Sequence, residues 1–436
     1  MEPIYKKRKI IFICILLLFI FIYYLCWCYL LKFNASPDEL MRYLVPKYIY
    51  SNGSLPTGYS KDAIYFLGNW SYAFYPQMLG GITSALFMKV FSLWTHSDHL
   101  ILFAARITSA LFGTITVAFV GLTVQKITKR IKIAIFSILF VAFLPQFTYL
   151  SSYINNDIIA AAGVSMIMYA LVSNEIDHSW NLNKILILSV GSLICILGYL
   201  NSMVFVLVSA IYLILTLIKQ DKISKKKAIN YFIIYCAVIA IFCLPFFIRN
   251  FIIYNGDLLG MRSFHNQYAE WLDAGGKKLQ FPYTSNHSIG ALFIDNDFLV
   301  RTFESFVGFF GYLSVQLKPV FYLFYFILFY TGILGLFIKP RINELKLIKN
   351  SIVTLIVGTI LLIILFLYYD LYIDYQTQGR YIISALPPLA LLETLGLSQI
   401  SKVMRMGRII KYSFTLFYVL LNIFILCHYV YPTLVL

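Results

Sequence analysis

The chain is short of charge. Only 12% of its 436 residues are Asp, Glu, Lys or Arg, against about 25% in soluble globular domains. Together with 60% hydrophobic residues and a mean hydropathy of +0.80, this excludes an ordinary soluble domain. The 7 cysteines (Cys14, Cys26, Cys28, Cys195, Cys236, Cys243, Cys427) all lie inside hydrophobic runs. No disulfide framework or thiolate metal site is therefore indicated, and they are most simply small apolar fillers. Other signatures are missing too. There is no glycine-rich phosphate loop and no G-x-S-x-G elbow, which leaves ATP-driven and serine-hydrolase readings without support. The 6 histidines show no three-ligand zinc spacing: His96 and His99 share a loop, and His265 and His287 are isolated.

Long uncharged runs are present along nearly the whole length, and they define an all-α polytopic membrane protein. The first, from Ile10 to Leu31, has about 22 residues, enough to cross a bilayer. Lys6, Lys7, Arg8 and Lys9 precede it as in a signal peptide. The run is long for such a segment and lacks a small-residue cleavage site, so a retained anchor is expected. Eleven spans are predicted, at about 10–31, 100–125, 131–150, 157–173, 184–200, 203–218, 228–248, 319–338, 350–369, 380–398 and 411–430.

A net charge of +16 first suggests nucleic acid, but its distribution argues otherwise. With the N-terminus inside, the inner segments hold about 22 Lys and Arg against about 5 acids, while the outer side holds about 13 of each. This is the positive-inside bias of a membrane protein. The basic clusters Lys126–Lys132, Lys219–Lys227, Lys339–Lys349 and Lys402–Lys411 are topology signals, and no nucleic-acid partner is expected. Within a single transmembrane domain covering 1–436, two outer regions exceed simple connectors: 32–99 and 249–318. Extended loops of this kind are usually functional. Pro76–Trp94 is mostly apolar, yet a crossing there would turn all later basic clusters outward. It is expected to lie on the outer surface as an amphipathic helix, with Phe303–Val315 as a second.

The candidate chemistry lies at the outer ends of the spans. Ser36-Pro37-Asp38-Glu39 follows the first span. Structurally it reads as a capping box, with Ser36 as N-cap, Pro37 at the first helical position and Glu39 at the third. That reading accounts for Glu39 and leaves Asp38 merely favourable to the helix dipole; the functional reading makes Asp38 a general base or a ligand to a divalent cation at the membrane surface. Pro46 removes a donor from the helix that follows, predicted to be short or kinked. Asn155-Asn156-Asp157 opens the fourth span, and a carboxylate at a span edge is costly unless paired or used. Arg249-Asn250 follows the seventh span, and Gln378-Gly379-Arg380-Tyr381 opens the tenth. Their guanidiniums either snorkel to lipid phosphates or clamp a substrate phosphate. Lys61, Arg42 and Arg106 are lesser candidates of the same kind.

In this order the motifs resemble the GT-C superfamily of membrane glycosyltransferases, in particular its bacterial polytopic branch related to the protein O-mannosyltransferase and aminoarabinose-transferase types. Ser36-Pro37-Asp38-Glu39, Asn52-Gly53-Ser54-Leu55-Pro56, Pro145-Gln146-Phe147, Asn155-Asn156-Asp157, Arg249-Asn250 with Gly256-Asp257, and Gln378-Gly379-Arg380-Tyr381 carry the likeness. The resemblance implies transfer of a sugar from a polyprenyl-phosphate donor, with inversion, to a glycan or protein acceptor of the cell envelope on the outer face. It makes Asp38, Glu39 and Asp157 the catalytic acids. Arg249, Arg380, Gln378, Asn156 and Lys61 become substrate-binding residues. The branch often carries a histidine shortly after the acidic pair, where Met41, Arg42 and Tyr43 stand here. A requirement for a divalent cation, magnesium or manganese, therefore stays open. A transporter or flippase for a lipid-linked glycan is the alternative from another class, but it calls for ionisable groups deep in several spans. Here Glu393 is the clearest such group. A polysaccharide polymerase is the third reading.

Overall fold

A computed structural model describes residues 2–219, 224–276, 288–295, 297–338 and 343–435. His287 and parts of the basic clusters at 219–227 and 339–349 lie outside the described residues. The helices run α1 (Glu2–Leu30), α2 (Glu39–Asn52), α3 (Leu79–Phe91), α4 (Asp98–Thr128), α5 (Ile131–Ala142), α6 (Pro145–Leu150), α7 (Asp157–Asp177), α8 (Leu182–Gly198), α9 (Met203–Lys219) and α10 (Lys225–Ile253). Then come α11 (Met261–Asp273), α12 (Phe298–Gly308), a hairpin of β1 (Phe309–Phe310) and β2 (Val315–Gln316), α13 (Pro319–Phe337), α14 (Asn343–Leu347), α15 (Lys349–Tyr372), α16 (Leu386–Val403) and α17 (Arg408–Ile425). Among the described residues, 9 helices are long and apolar enough to cross a membrane.

The bundle is built around α7. Its apolar window is 94% buried, against 17% for α1 and α10 and 22% for the span from Arg408. Small residues explain the difference: Ala160, Ala161, Ala162 and Gly163 let α4 and α8 approach closely, as in other membrane helix interfaces. A Cβ on Gly163 would sit 2.7 Å from the Gly191 carbonyl oxygen of α8. The helices rich in Ile, Leu and Phe on all sides form the periphery.

Two of the eleven expected spans fall short of that length. The one at 184–200 is the 17-residue α8. The one at 131–150 is broken: α5 stops at Ala142 and α6 restarts with Pro145 at its first position. Proline lacks an N–H and disfavours helix in the residue before it, so the chain turns at Phe143-Leu144. The turn swings Gln146 and Tyr149 onto the hairpin, where Gln146 Oε1 accepts from the Phe309 N–H at 3.2 Å. Phe303–Val315 is likewise not one helix. α12 ends at Gly308, and Phe309↔Gln316 and Phe310↔Val315 pair in the hairpin. The Pro76–Trp94 segment forms α3, 13 residues lying between α2 and α4.

Basic and acidic residues gather at the end of the bundle away from α2. Lys126 and Lys184 both reach Asp177 at 2.8 Å, and Lys402 lies 3.6 Å from Glu344.

Candidate active site

The ends of α1, α7 and α16 nearest α2 bring distant charges together. Asp38 precedes α2 with φ 62°, in the left-handed region that Asp tolerates better than most residues. This overturns the expected capping box. The helix starts at Glu39, its N-cap is Asp38, and neither Ser36 nor Asp38 caps it with a side chain; Asn34 Oδ1 accepts from the Leu40 N–H at 3.3 Å instead. The unusual backbone angle aims the Asp38 carboxylate sideways, where Oδ2 accepts from Arg380 Nη2 at 2.7 Å across 342 positions of sequence. Burial would raise the Asp38 pKa, but Arg380 and then Arg42 outweigh it and hold the carboxyl below its ordinary range. α2 runs on through Pro46 to Asn52.

Arg380 stands in a helical turn, Gly379–Ala385, just ahead of α16. A Cβ at position 379 would lie 2.3 Å from the Thr302 carbonyl oxygen and 2.4 Å from the Phe306 nitrogen. Only glycine lets this backbone press so close to α12. The Gly379 N–H also donates to Ser305 Oγ. Arg380 is 3% exposed, yet its Nε and Nη1 meet no hydrogen-bonding partner among the described residues.

Asp157 opens α7 and is buried, and neither carboxylate oxygen meets a hydrogen-bonding partner among the described residues. The charges that reach it are Arg380, Arg42 and Asp38, in that order. Its neighbour Asn155 does the capping: Oδ1 accepts from the Ile158 N–H at 3.0 Å, and Nδ2 donates to the Leu150 and Tyr153 carbonyls. Asn156 is half-buried and faces α3, 3.7 Å from where a Gly80 Cβ would stand. Arg42 completes the group. Its guanidinium lies 4.4 Å over the Tyr72 ring and acts on both Asp38 and Asp157.

Other expected residues stand elsewhere. Glu39 is sealed in a two-pronged pair with Arg106, Oε1 to Nε at 2.7 Å and Oε2 to Nη2 at 2.8 Å. Arg106 spends its remaining donors on the carbonyls of Cys28, Leu31 and Lys32, which pins the end of α1 to α4. Gln378 lines a recess with Pro37, Gln146, Leu313 and Arg380. Arg249 donates to the Pro56 carbonyl and to Asn250 Oδ1, and Lys61 is exposed on a short turn against α2. The sequence ranked Arg42 among lesser candidates and gave Asp374 no role. Their signal was polarity at the outer end of a span, which many other residues share.

This constellation favours an anion. Two guanidiniums with unmet donors stand beside two carboxylates, and among the described residues no three His, Cys, Asp or Glu side chains form a group able to hold a metal ion.

Comparison with known proteins agrees with the fold. A model of the dolichyl-phosphate-mannose-protein mannosyltransferase family matches residues 61–255, a segment that contains Asp157 but neither Asp38 nor Arg380. The crystal structure of ArnT from Cupriavidus metallidurans bound to undecaprenyl phosphate superposes with a TM-score of 0.51 at 12% identity, covering 87% of this chain and 60% of that one. Its apo state gives 0.51 at 11%, with 90% and 60% covered. The oligosaccharyltransferase AglB from Archaeoglobus fulgidus, in complex with an inhibitory peptide and a dolichol-phosphate, gives 0.49 at 13%, with 96% and 55% covered. No curated protein matches the chain. The chain thus spans about 60% of the length of the ArnT structures it resembles. The fold is that of the GT-C membrane glycosyltransferases. Its long apolar helices make the chain a multi-pass membrane protein, as the uncharged runs led us to expect.

Proposed function

We propose that the protein transfers a sugar from a polyprenyl-phosphate donor to a hydroxyl-bearing acceptor of the cell envelope, on the outer face of the membrane. One observation carries this reading: buried Asp157, Arg380 and Arg42 and half-buried Asp38 meet at one end of the bundle, with unmet donors on both arginines. Guanidinium matches phosphate geometry, and the site lies where a lipid tail stays among the spans while its head group reaches the surface. The ArnT neighbour was solved with undecaprenyl phosphate, a lipid phosphate of the class such a donor would leave behind. The excess of basic residues at the far end of the bundle supports an outward-facing site.

In the reaction the acceptor oxygen attacks the sugar's anomeric carbon from the face opposite the phosphate. The bond between that carbon and the phosphate oxygen breaks, its electron pair leaves with the polyprenyl phosphate, and configuration inverts. Arg380 and Arg42 stabilise the charge gathering on the departing phosphate. Asp38 takes the acceptor's proton. In the free protein Asp38 is a weak base because of Arg380. A phosphate bound between them places a like charge beside the carboxylate and raises its pKa, so donor binding itself strengthens the base. Asp157 holds the acceptor or sugar hydroxyls. Gln378 borders the same recess, and Asn156, Lys61 and Arg249 stand further out as contacts for the sugar or lipid head.

The test is kinetic. Arg380→Ala is expected to raise the apparent KM for donor at least tenfold and that for acceptor less than threefold. Equal increases for both would remove the phosphate-clamp assignment. Deep ionisable chains of the kind a flippase needs are not what the charges here suggest, since those of the site gather at a single end.

A further inference from the structure

The loop between α15 and Gly379 reads Ile373-Asp374-Tyr375-Gln376-Thr377-Gln378. It carries an ordered chain of hydrogen bonds that ends on Arg380. Gln376 Nε2 donates to Asp374 Oδ2, and Gln376 Oε1 accepts from the Tyr381 hydroxyl. That hydroxyl accepts in turn from Arg380 Nη2 at 3.2 Å, the same nitrogen that donates to Asp38. The Arg380 guanidinium also lies 4.9 Å over the Tyr381 ring. The loop backbone is fixed separately, since Asp370 Oδ1 accepts from the Gln376 N–H at 2.6 Å. Asp374 is near enough to the reacting group for Asp38's charge to act on it.

The direction of this chain depends on its first member. A carboxylate only accepts, so Asp374 forces Gln376 to turn its NH2 inward and its carbonyl oxygen toward Tyr381. Tyr381 must then donate to Gln376, which leaves its oxygen lone pairs to Arg380. Gln378 Nε2 also donates to Gln376 Oε1, at 3.4 Å, but an amide has no fixed polarity of its own, so without Asp374 both amides can flip together and Gln376 can present its NH2 to Tyr381. Tyr381 would then have a donor on each side, with its own proton unmet and its lone pairs shared, and its hold on Arg380 would weaken while Asp38 alone kept the guanidinium in place.

We infer that Asp374 is a positioning residue which, through Gln376 and Tyr381, fixes the Arg380 guanidinium with two of its donors ready for an incoming phosphate. This rests on the proposed function, in that Arg380 is taken to hold the donor's phosphate. Positioning of this kind acts on phosphate recognition and leaves recognition of the lipid tail untouched.

The experiment measures binding of undecaprenyl phosphate, and of undecaprenol as the phosphate-free control, to the full-length protein in lipid nanodiscs. Asp374→Ala and Tyr381→Phe are each expected to weaken phosphate binding about tenfold and leave undecaprenol binding within twofold. Because the two residues act in series, the double variant should be no weaker than the poorer single one. Asp374→Asn, which keeps one oxygen but no fixed polarity, should fall between Asp374→Ala and the parent. Wild-type phosphate affinity in both single variants, equal losses for the two lipids, or losses that multiply to a hundredfold in the double variant would each overturn the inference. Arg380→Ala separates the two claims. If it retains phosphate affinity, the clamp itself fails; if it loses affinity while Asp374→Ala and Tyr381→Phe do not, only the positioning role fails. Tyr381→Phe removes one hydroxyl and carries the test should Asp374→Ala not fold.

Discussion

Adjacent acids at the start of α2 are expected to respond in opposite ways to substitution, and Glu39 gives the sharper measurement. We propose that it serves architecture. Its two oxygens take the Arg106 Nε and Nη2 at 2.7 and 2.8 Å, with side-chain exposures of 0% and 1%, and Oε2 also accepts from the Asn34 N–H at 3.0 Å. Glu39→Ala leaves a buried guanidinium with three carbonyl contacts and no counter-charge. Removing one partner of a buried pair costs about 3–5 kcal/mol, a change in the folding equilibrium of roughly 10² to 4 × 10³. Asp38 is 21% exposed, and Asp38→Asn keeps an oxygen for Arg380, so its loss should be about 1–2 kcal/mol. Equilibrium unfolding in mixed micelles, followed by tryptophan fluorescence, resolves the two. Replacing both Glu39 and Arg106 by Leu should recover most of the loss, because no charge is then stranded. A Glu39→Ala protein that stays within about 1 kcal/mol of the parent yet loses transfer would refute the assignment and return Glu39 to the chemistry.

Three further outcomes follow from the site. Gly379→Ala drives a methyl group into the α12 backbone; displacing Arg380 in this way should lower transfer at least tenfold, and unchanged kinetics would show that the close approach is not needed. The pH profile should separate free and bound forms. Asp38 has a depressed pKa in the free protein, so its ionic stabilisation is full above about pH 4, the ordinary carboxylate value, and is lost only as pH falls through the lower folded value. The acid limb of kcat/KM should therefore lie below that of kcat, where bound phosphate raises the Asp38 pKa; limbs at the same pH would contradict the base-strengthening step. Arg42→Gln removes one of the charges holding Asp38 down and should move the kcat/KM limb upward, which a pH titration of initial rates checks.

Much of the fold was legible because bilayer physics leaves a strong signal: uncharged runs of span length and basic clusters on one side. The break at Phe143-Leu144 was missed although Pro145 announces it, since the hydropathy of 131–150 continues unbroken across the proline. Which span lies innermost was also hidden, because α7 differs from the others by small residues rather than by hydrophobicity. In the site, Asp38, Asp157 and Arg380 were recognisable as charges at span ends, and their meeting depends on packing of α1, α7 and α16 that no local pattern encodes. The capping-box motif at Ser36 misled for a clear reason. The local cap competes with two long-range arginines, and the ion pairs of Asp38 and Glu39 with Arg380 and Arg106 prevail. Asp374 and Gln376 carry no motif at all; only the folded loop relates them to Arg380.

The most direct test is the initial rate of sugar transfer by Asp38→Asn protein under saturating polyprenyl-phosphate donor, with donor binding measured in the same preparation. The expected result is a fall of about 10²–10⁴ in kcat, the usual contribution of a general base, with donor affinity preserved. A rate within threefold of the parent would contradict the role of Asp38 and, with it, the reacting centre proposed at this end of the bundle.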